Sequence, residues 1–418
     1  MKLSKLSRNA IMASLALATA LFFTACNITR TIDYVYVSAA QPLSNGDGQI
    51  QAFGVDQLTG ALRPTVNPID SGGPMPISMI TSSNFQDLYV ANQGNSTIVH
   101  FAINNDSSLT QKDVVSLASE GNTPLAMATN QAGTYLYVIT AYEPGCNTPN
   151  TCSGALSVFP LNNGAIGTPL ANGGLNYWPL NLPSPFASDV IVPTGVNVLF
   201  NGSGVLVSAY DQSSYNPGGH PTSKANAGWV FSFNVGSGGT LSAAPSSPFI
   251  AGVKPSGISS DPGNRFVYVT DFASNQLIAY SIQSNNSLYF LINGPFKTGY
   301  EPSSIVVDPR GLYIYVTNSL DNSVSAYAIS LPTGTPSTAV NPSGSTTNST
   351  DTDPVALVID PSLARNVYTA NYIGNSVSGF LINADTGTIS PNQASPYPTL
   401  NNPTAIASVP HGNYVLTN

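Results

Sequence analysis

Few residues of this 418-residue chain can do chemistry, and their spacing narrows the choice. Lys254, Glu301 and Asp353 each stand immediately before a proline, as do Thr123 and Asn402, and Met75 holds the same place in another stretch. A carboxylate can take a proton from water, and an ammonium can stabilise developing negative charge. These residues form the candidate binding constellation, with Lys254, Glu301 and Asp353 its ionisable members. Read as solvated rim groups, the same three charges would only keep a charge-poor surface soluble. His100, His220 and His411 are far apart, and scattered serines give no Ser-His-Asp pattern. NGDG at 45–48 has too few acids for a calcium loop, and GSGGT at 236–240 opens no helix that could cradle a phosphate. The sequence asks for no metal and no cofactor. Tyr142, Tyr210, Tyr215 and Trp178 lie near long polar stretches, where they could stack on sugar rings or pack locally.

The elements that must position these groups are repeats. YVSA at 36–39 recurs as YVAN, YVIT, LVSA, YVTD, YVTN, YTAN and VLTN, at a mean spacing of about 54 residues, a period typical of propellers and arrays. Within one unit, a short strand at 257–260 ends in Asp261-Pro262-Gly263-Asn264, type I turn chemistry that returns at Asp308-Pro309 and Asp360-Pro361. The strand that follows is apolar along nearly its whole length. A strand with one wet face should alternate, so both faces are covered. Four short antiparallel strands per unit, with no helical period between them, describe a propeller blade. Third strands near 49–54, 97–103, 155–159, 229–233, 277–282, 323–329 and 376–382 set the number of blades at seven. The predicted fold is an all-β, seven-bladed propeller over 33–418. PTAIAS at 403–408 should supply the innermost strand of the blade begun by 34–62, which leaves 413–418 and 33–39 competing for one position. Insertions are expected at 143–153, 167–200 and 211–227, and a mobile loop at 332–353. The Asn-Ser pairs at 95–96, 322–323 and 375–376 read as turn residues.

Only 8% of residues are charged, against roughly 25% in an ordinary domain. The formal net charge of −8 excludes the basic face that nucleic acid requires. Residues 1–25 read as an export signal: Lys2, Lys5 and Arg8 precede an apolar run from Ile11 to Phe23, shorter than the about 20 residues of a membrane span. Phe23-Thr24-Ala25-Cys26 resembles the bacterial lipoprotein cleavage box, which implies lipid on Cys26, a short tether over 26–32 and an extracytoplasmic, membrane-anchored protein. Without the signal, nine basic residues face twenty acids, a formal −11. An oxidising compartment would join Cys146 and Cys152, six apart in a turn-rich loop, as a local disulfide.

The repeats resemble the YVTN β-propeller repeat. The chain over roughly 33–418 is similar to the seven-bladed lactonase-like family, whose best-known members are 6-phosphogluconolactonases and muconate-cycle enzymes. The resemblance is strongest in 254–282, 301–329 and 353–382. It implies a ligand site at the axial mouth, where each innermost strand begins, lined by Thr123, Lys254, Glu301, Asp353 and Asn402. Lactone hydrolysis there would use Glu301 or Asp353 as base and Lys254 as electrophile. Enzymes of the family place His, Arg and Glu around this mouth, whereas here no histidine precedes the prolines. Arg30, Arg63, Arg265, Arg310 and Arg365 are scattered, three of them in or beside turns on the other side. The sequence therefore favours a non-catalytic binding or scaffolding module, a monomer with a small-molecule, glycan or protein ligand. A lactonase-like hydrolase and a structural surface-layer or adhesion protein are the alternatives.

Overall fold

The computed structural model describes residues 30–117, 123–146, 151–212, 227–339 and 345–412. The signal segment with Cys26, residues 413–418 and His220 lie outside them. Seven antiparallel sheets form a closed ring. Their innermost strands are Pro76–Thr81, Pro124–Thr129, Ile191–Val198, Pro255–Ser260, Pro302–Val307, Pro354–Ile359 and Pro403–Pro410, each packed against the next around the axis. Thr31–Ala39 pairs with both Pro403–Pro410 and Gln49–Asp56, so both ends of the chain hold one blade. The segment at 33–39 therefore takes the contested position.

Each blade runs outward by three sequential antiparallel pairings, as the repeats predict. Its outermost strand departs from expectation. In six blades that edge is two pieces of two or three residues, both paired to the third strand. Leu288–Phe290 and Phe296–Lys297, for example, both pair with Gln276–Ile282. Strands this short carry no period, so the sequence pattern could not reveal them. Two such pieces, Pro336–Thr338 and Thr347–Ser349, occupy part of the stretch read as a loop at 332–353. The insertion read at 167–200 likewise contains an innermost strand, Ile191–Val198, whose start lacks the turn residues of the other repeats.

The tyrosine of the repeat phrase explains why the blades stay in register. Tyr36, Tyr89, Tyr268, Tyr315 and Tyr368 are fully buried in second strands. Their hydroxyls donate to Ser107, Gly164, Gly334, Gly387 and Gly60 carbonyls respectively, in the outer turn of the next blade. Each ring thus fills the space between two sheets, and its one polar atom finds an acceptor across the seam. The turn acids work locally: Asp261 Oδ1 accepts the Arg265 and Phe266 N–H groups at 2.7 Å. Cys146 and Cys152 are joined, closing a surface loop.

One polar cluster was not foreseen. The ring of His100, in a third strand, is buried between two carboxylates, with Nε2 2.8 Å from Asp87 and Nδ1 2.5 Å from Asp113. Burial alone would lower its pKa, but the two carboxylates outweigh burial and raise it. Asp113 also accepts the Ile166 N–H of the next blade at 3.1 Å. His100 is therefore part of a seam between blades and far from the mouth.

Candidate functional site

The mouth is built by a repeated local device. Six of the seven innermost strands start at a proline, and a bulge follows it at Pro76, Pro255, Pro302 and Pro354, seen as a register shift. The residue before the proline is left-handed in five blades: φ is 53° at Met75, 73° at Thr123, 53° at Glu301, 60° at Asp353 and 55° at Asn402. Such conformations cost on the order of 1–3 kcal/mol for a non-glycine residue unless the surroundings hold them. Here they are held from both sides. The Glu301, Asp353 and Asn402 N–H groups donate to the side chains of Asn275, Asn322 and Asn375, in the preceding blade, at 2.8, 2.8 and 2.7 Å. Their own-blade turns close the clamp: Ser319 N–H donates to the Glu301 carbonyl and Tyr372 N–H to that of Asp353.

The asparagines at 322 and 375, read from sequence as turn residues, therefore also fix the mouth of the following blade. Asn95-Ser96 is offset by one: Ser96 takes the place of Asn322, and its hydroxyl accepts the Thr123 N–H at 3.3 Å. A step further in, Ser303 and Thr404 donate to the Pro354 and Pro76 carbonyls at 2.6 Å, tying neighbouring innermost strands together. Ser256 makes the same bond to Pro302.

The structure thus places Thr123, Lys254, Glu301, Asp353 and Asn402 at equivalent positions, with Met75 as the sixth. The seventh was not legible. Pro193 pairs with Ala209 just before a register shift, as Pro255 pairs with Asp271, so Val192 takes the place of Lys254 in its blade. Its strand begins two residues early, which hides the proline inside what reads as an insertion.

Around the ring the residues run Asn402, Met75, Thr123, Val192, Lys254, Glu301, Asp353. One arc is uncharged, and the ionisable groups come from three consecutive blades. The Lys254 ammonium lies 4.5 Å from the Phe272 ring centre and 5.6 Å from that of Tyr210. Burial lowers its pKa, and the Glu301 carboxylate opposes the shift. Burial raises the carboxyl pKa of Asp353, making it a stronger base when ionised. Among the described residues no group of histidine, cysteine and carboxylate side chains could hold a metal. Trp178 is buried and donates to the Leu241 carbonyl, so it packs rather than stacks on ligand.

The five arginines occupy the other end of the ring. Arg30 precedes a second strand, Arg63 follows an outer turn, and Arg265, Arg310 and Arg365 sit in turns between first and second strands. Arg265 pairs with Asp261 and Arg310 with Asp308. A cleft of about 250 Å³ at that end is lined by Asn197, Phe200, Ser260, Asp261 and Asp308 among others.

Residues 251–417 match the family described as lactonase, 7-bladed beta-propeller. No curated protein is measurably similar in sequence. Among solved structures, the chain is similar to a 6-phosphogluconolactonase-like protein of Bacteroides fragilis, with TM-score 0.70 and 16% identity, covering 92% of this chain and 99% of that one. The periplasmic gluconolactonase of Pseudomonas aeruginosa matches with TM-score 0.70 and 16% identity, over 91% of this chain and 99% of that one. A protein of Sulfolobus tokodaii described as selenium-binding shares the fold at TM-score 0.62 and 10% identity, over 92% and 93% of the two chains. With the ring of blades and its pre-proline mouth in hand, the chain is a seven-bladed β-propeller whose residues 251–417 match the lactonase propeller family.

Proposed function

We propose that the chain is a lactone hydrolase working at the axial mouth. The observation that carries this reading is the set Lys254, Glu301 and Asp353: one half-buried cation and two carboxylates, held at the same position of three consecutive blades. Asp353 takes a proton from water as the water oxygen bonds to the lactone carbonyl carbon. Lys254 stabilises the resulting oxyanion, and Glu301 holds the ammonium in its charged form. Collapse re-forms the carbonyl and breaks the bond to the ring oxygen, which takes the proton back from Asp353 and leaves a hydroxy acid. The family match and the names of the two similar bacterial proteins support this reading over the non-catalytic module favoured by sequence alone.

Purified protein should open the ring of δ-lactones in a pH-stat assay. Lys254→Ala or Asp353→Asn should lower kcat/KM by on the order of 10²-fold, the effect of removing one oxyanion donor or general base. A panel of lactones left intact by the wild type, or turned over equally by both variants, would refute the assignment. Export and lipid attachment at Cys26 belong to the same proposal. Radiolabelled fatty acid should enter the wild type in a bacterial host and fail to enter Cys26→Ser.

A further inference from the structure

We infer that the mouth selects an uncharged lactone and rejects one bearing a phosphate. This rests on the lactonase reading and specifies its substrate class. A phosphate monoester carries close to two negative charges at neutral pH and is bound by arginine forks or several converging donors. The described mouth offers neither. All five described arginines lie at the opposite end, and two of them are tied to turn acids.

Two described cations stand at the mouth end. Lys254 faces Glu301 and lies over two aromatic rings. Lys297 is on the outermost strand, paired to Gln276, away from the axis. Acids surround them. Besides Glu301 and Asp353, Asp321 accepts the Tyr300 N–H at 2.7 Å and Asp351 accepts the Thr352 N–H at 2.8 Å, both in turns of this face. A dianion arriving there would meet a net negative field that one shared ammonium cannot offset.

The other arc suits a neutral ring. Met75, Thr123 and Val192 carry no charge, and Met75 is 53% exposed. Tyr300 and Tyr372, in the loops beside Glu301 and Asp353, are 60% and 36% exposed. Such faces favour the C–H surface of a polyhydroxylated ring, while Asn402 and the carboxylates can accept its hydroxyl protons.

The test compares δ-gluconolactone with its 6-phosphate on the same purified protein. The neutral lactone should have at least about tenfold the kcat/KM, and raising salt from about 0.02 to 0.5 M should speed only the phosphorylated one, because screening weakens repulsion. Val192→Arg, which places a guanidinium in the uncharged arc, should raise turnover of the phosphorylated lactone about tenfold. Equal or better turnover of the phosphorylated lactone at about 0.15 M salt overturns the inference. If neither lactone is hydrolysed, the hydrolase reading fails, and calorimetry with gluconolactam and 6-phosphogluconate decides selectivity. Binding of the lactam alone upholds it. Binding of the phosphate compound, or of neither, overturns it.

Discussion

Replacing Asp33 by asparagine is expected to make the protein more stable at pH 8.5 and to flatten its loss of stability between pH 5 and 8.5. Asp33 lies in Thr31–Ala39, the strand that closes the ring, and its side chain is fully buried. Oδ1 accepts the Ser362 hydroxyl at 2.6 Å, and Oδ2 has no hydrogen-bond partner. Burial, and then the nearby Asp360 carboxylate, push the Asp33 pKa up to about 8, only partly offset by Ser362. Asp360 is itself raised by burial, although it accepts N–H bonds from Leu363, Arg365 and Asn366 in its turn.

The folded state therefore binds a proton that the unfolded chain releases near pH 4. Stability falls as pH rises from there to about 8 and is flat above, the reverse of an ordinary ion-paired carboxylate. Four pKa steps at 1.36 kcal/mol each set the scale at about 5 kcal/mol, distributed over the Asp33–Asp360 pair. Urea unfolding of wild type and Asp33→Asn at several pH values measures it. Parallel stability-versus-pH curves would show that Asp33 does not carry the effect. The His100 bridge contributes with the same sign. Its raised pKa gives stability fully present below the unfolded value of about 6.5 and lost as pH climbs through the folded one. The two sites are independent, so the Asp33 variant should retain that smaller slope.

How far the sequence reaches is clearest where the repeats are most alike. The Asp-Pro turn, the apolar second strand and the proline behind Glu301 or Asp353 are local signals, each with a fixed residue cause, and they disclose the blade and most of its mouth. Val192 escaped because its strand begins before the proline, and that is decided by pairing with Tyr210 and Asp211 rather than by neighbours in sequence. The cross-blade role of Asn322 and Asn375 escaped for a related reason. An asparagine in a left-handed turn position needs no further explanation, and its acceptor atom meets a residue 27 or 31 positions away only once the next blade packs alongside. The Asp33–Asp360 contact is made by closure, and the His100–Asp87–Asp113 contact by strand register within one blade, where His100 stands opposite Asp113. The choice between Thr31–Ala39 and 413–418 for the closing blade was also beyond composition, since both carry the same apolar phrase.

Adding a single methyl group at Gly228 should cost about 3 kcal/mol, at the upper end of what overpacking a well-filled site usually costs. Gly228 opens a third strand and meets the proline of the next blade. A Cβ built there would lie 2.4 Å from the Ala251 carbonyl oxygen and 2.5 Å from Pro255 Cδ. Neither obstacle can rotate away: one is backbone whose own N–H donates to the Gly228 carbonyl, and the other is a ring that begins an innermost strand. The same contact recurs at Gly48 against Pro76 and at Gly154 against Pro193, with Cδ at 2.3 Å in both, so three of the seven blades share it. At these three mouths the proline sits against a glycine of the preceding blade, whereas at the mouths of Glu301, Asp353 and Asn402 an asparagine holds that place and accepts the N–H of the residue before the proline. Gly228→Ala should therefore lower the urea midpoint and also disturb the adjacent Lys254, raising KM for the lactone before the protein unfolds. Gly46→Ala makes the comparison, since nothing lies within 4 Å of its Cβ and only its φ of +90° is penalised. It should cost about 1 kcal/mol and leave KM unchanged. Equal, small losses in the two variants would mean that the blades have room to separate, and that the glycine–proline contact does not set the shape of the mouth.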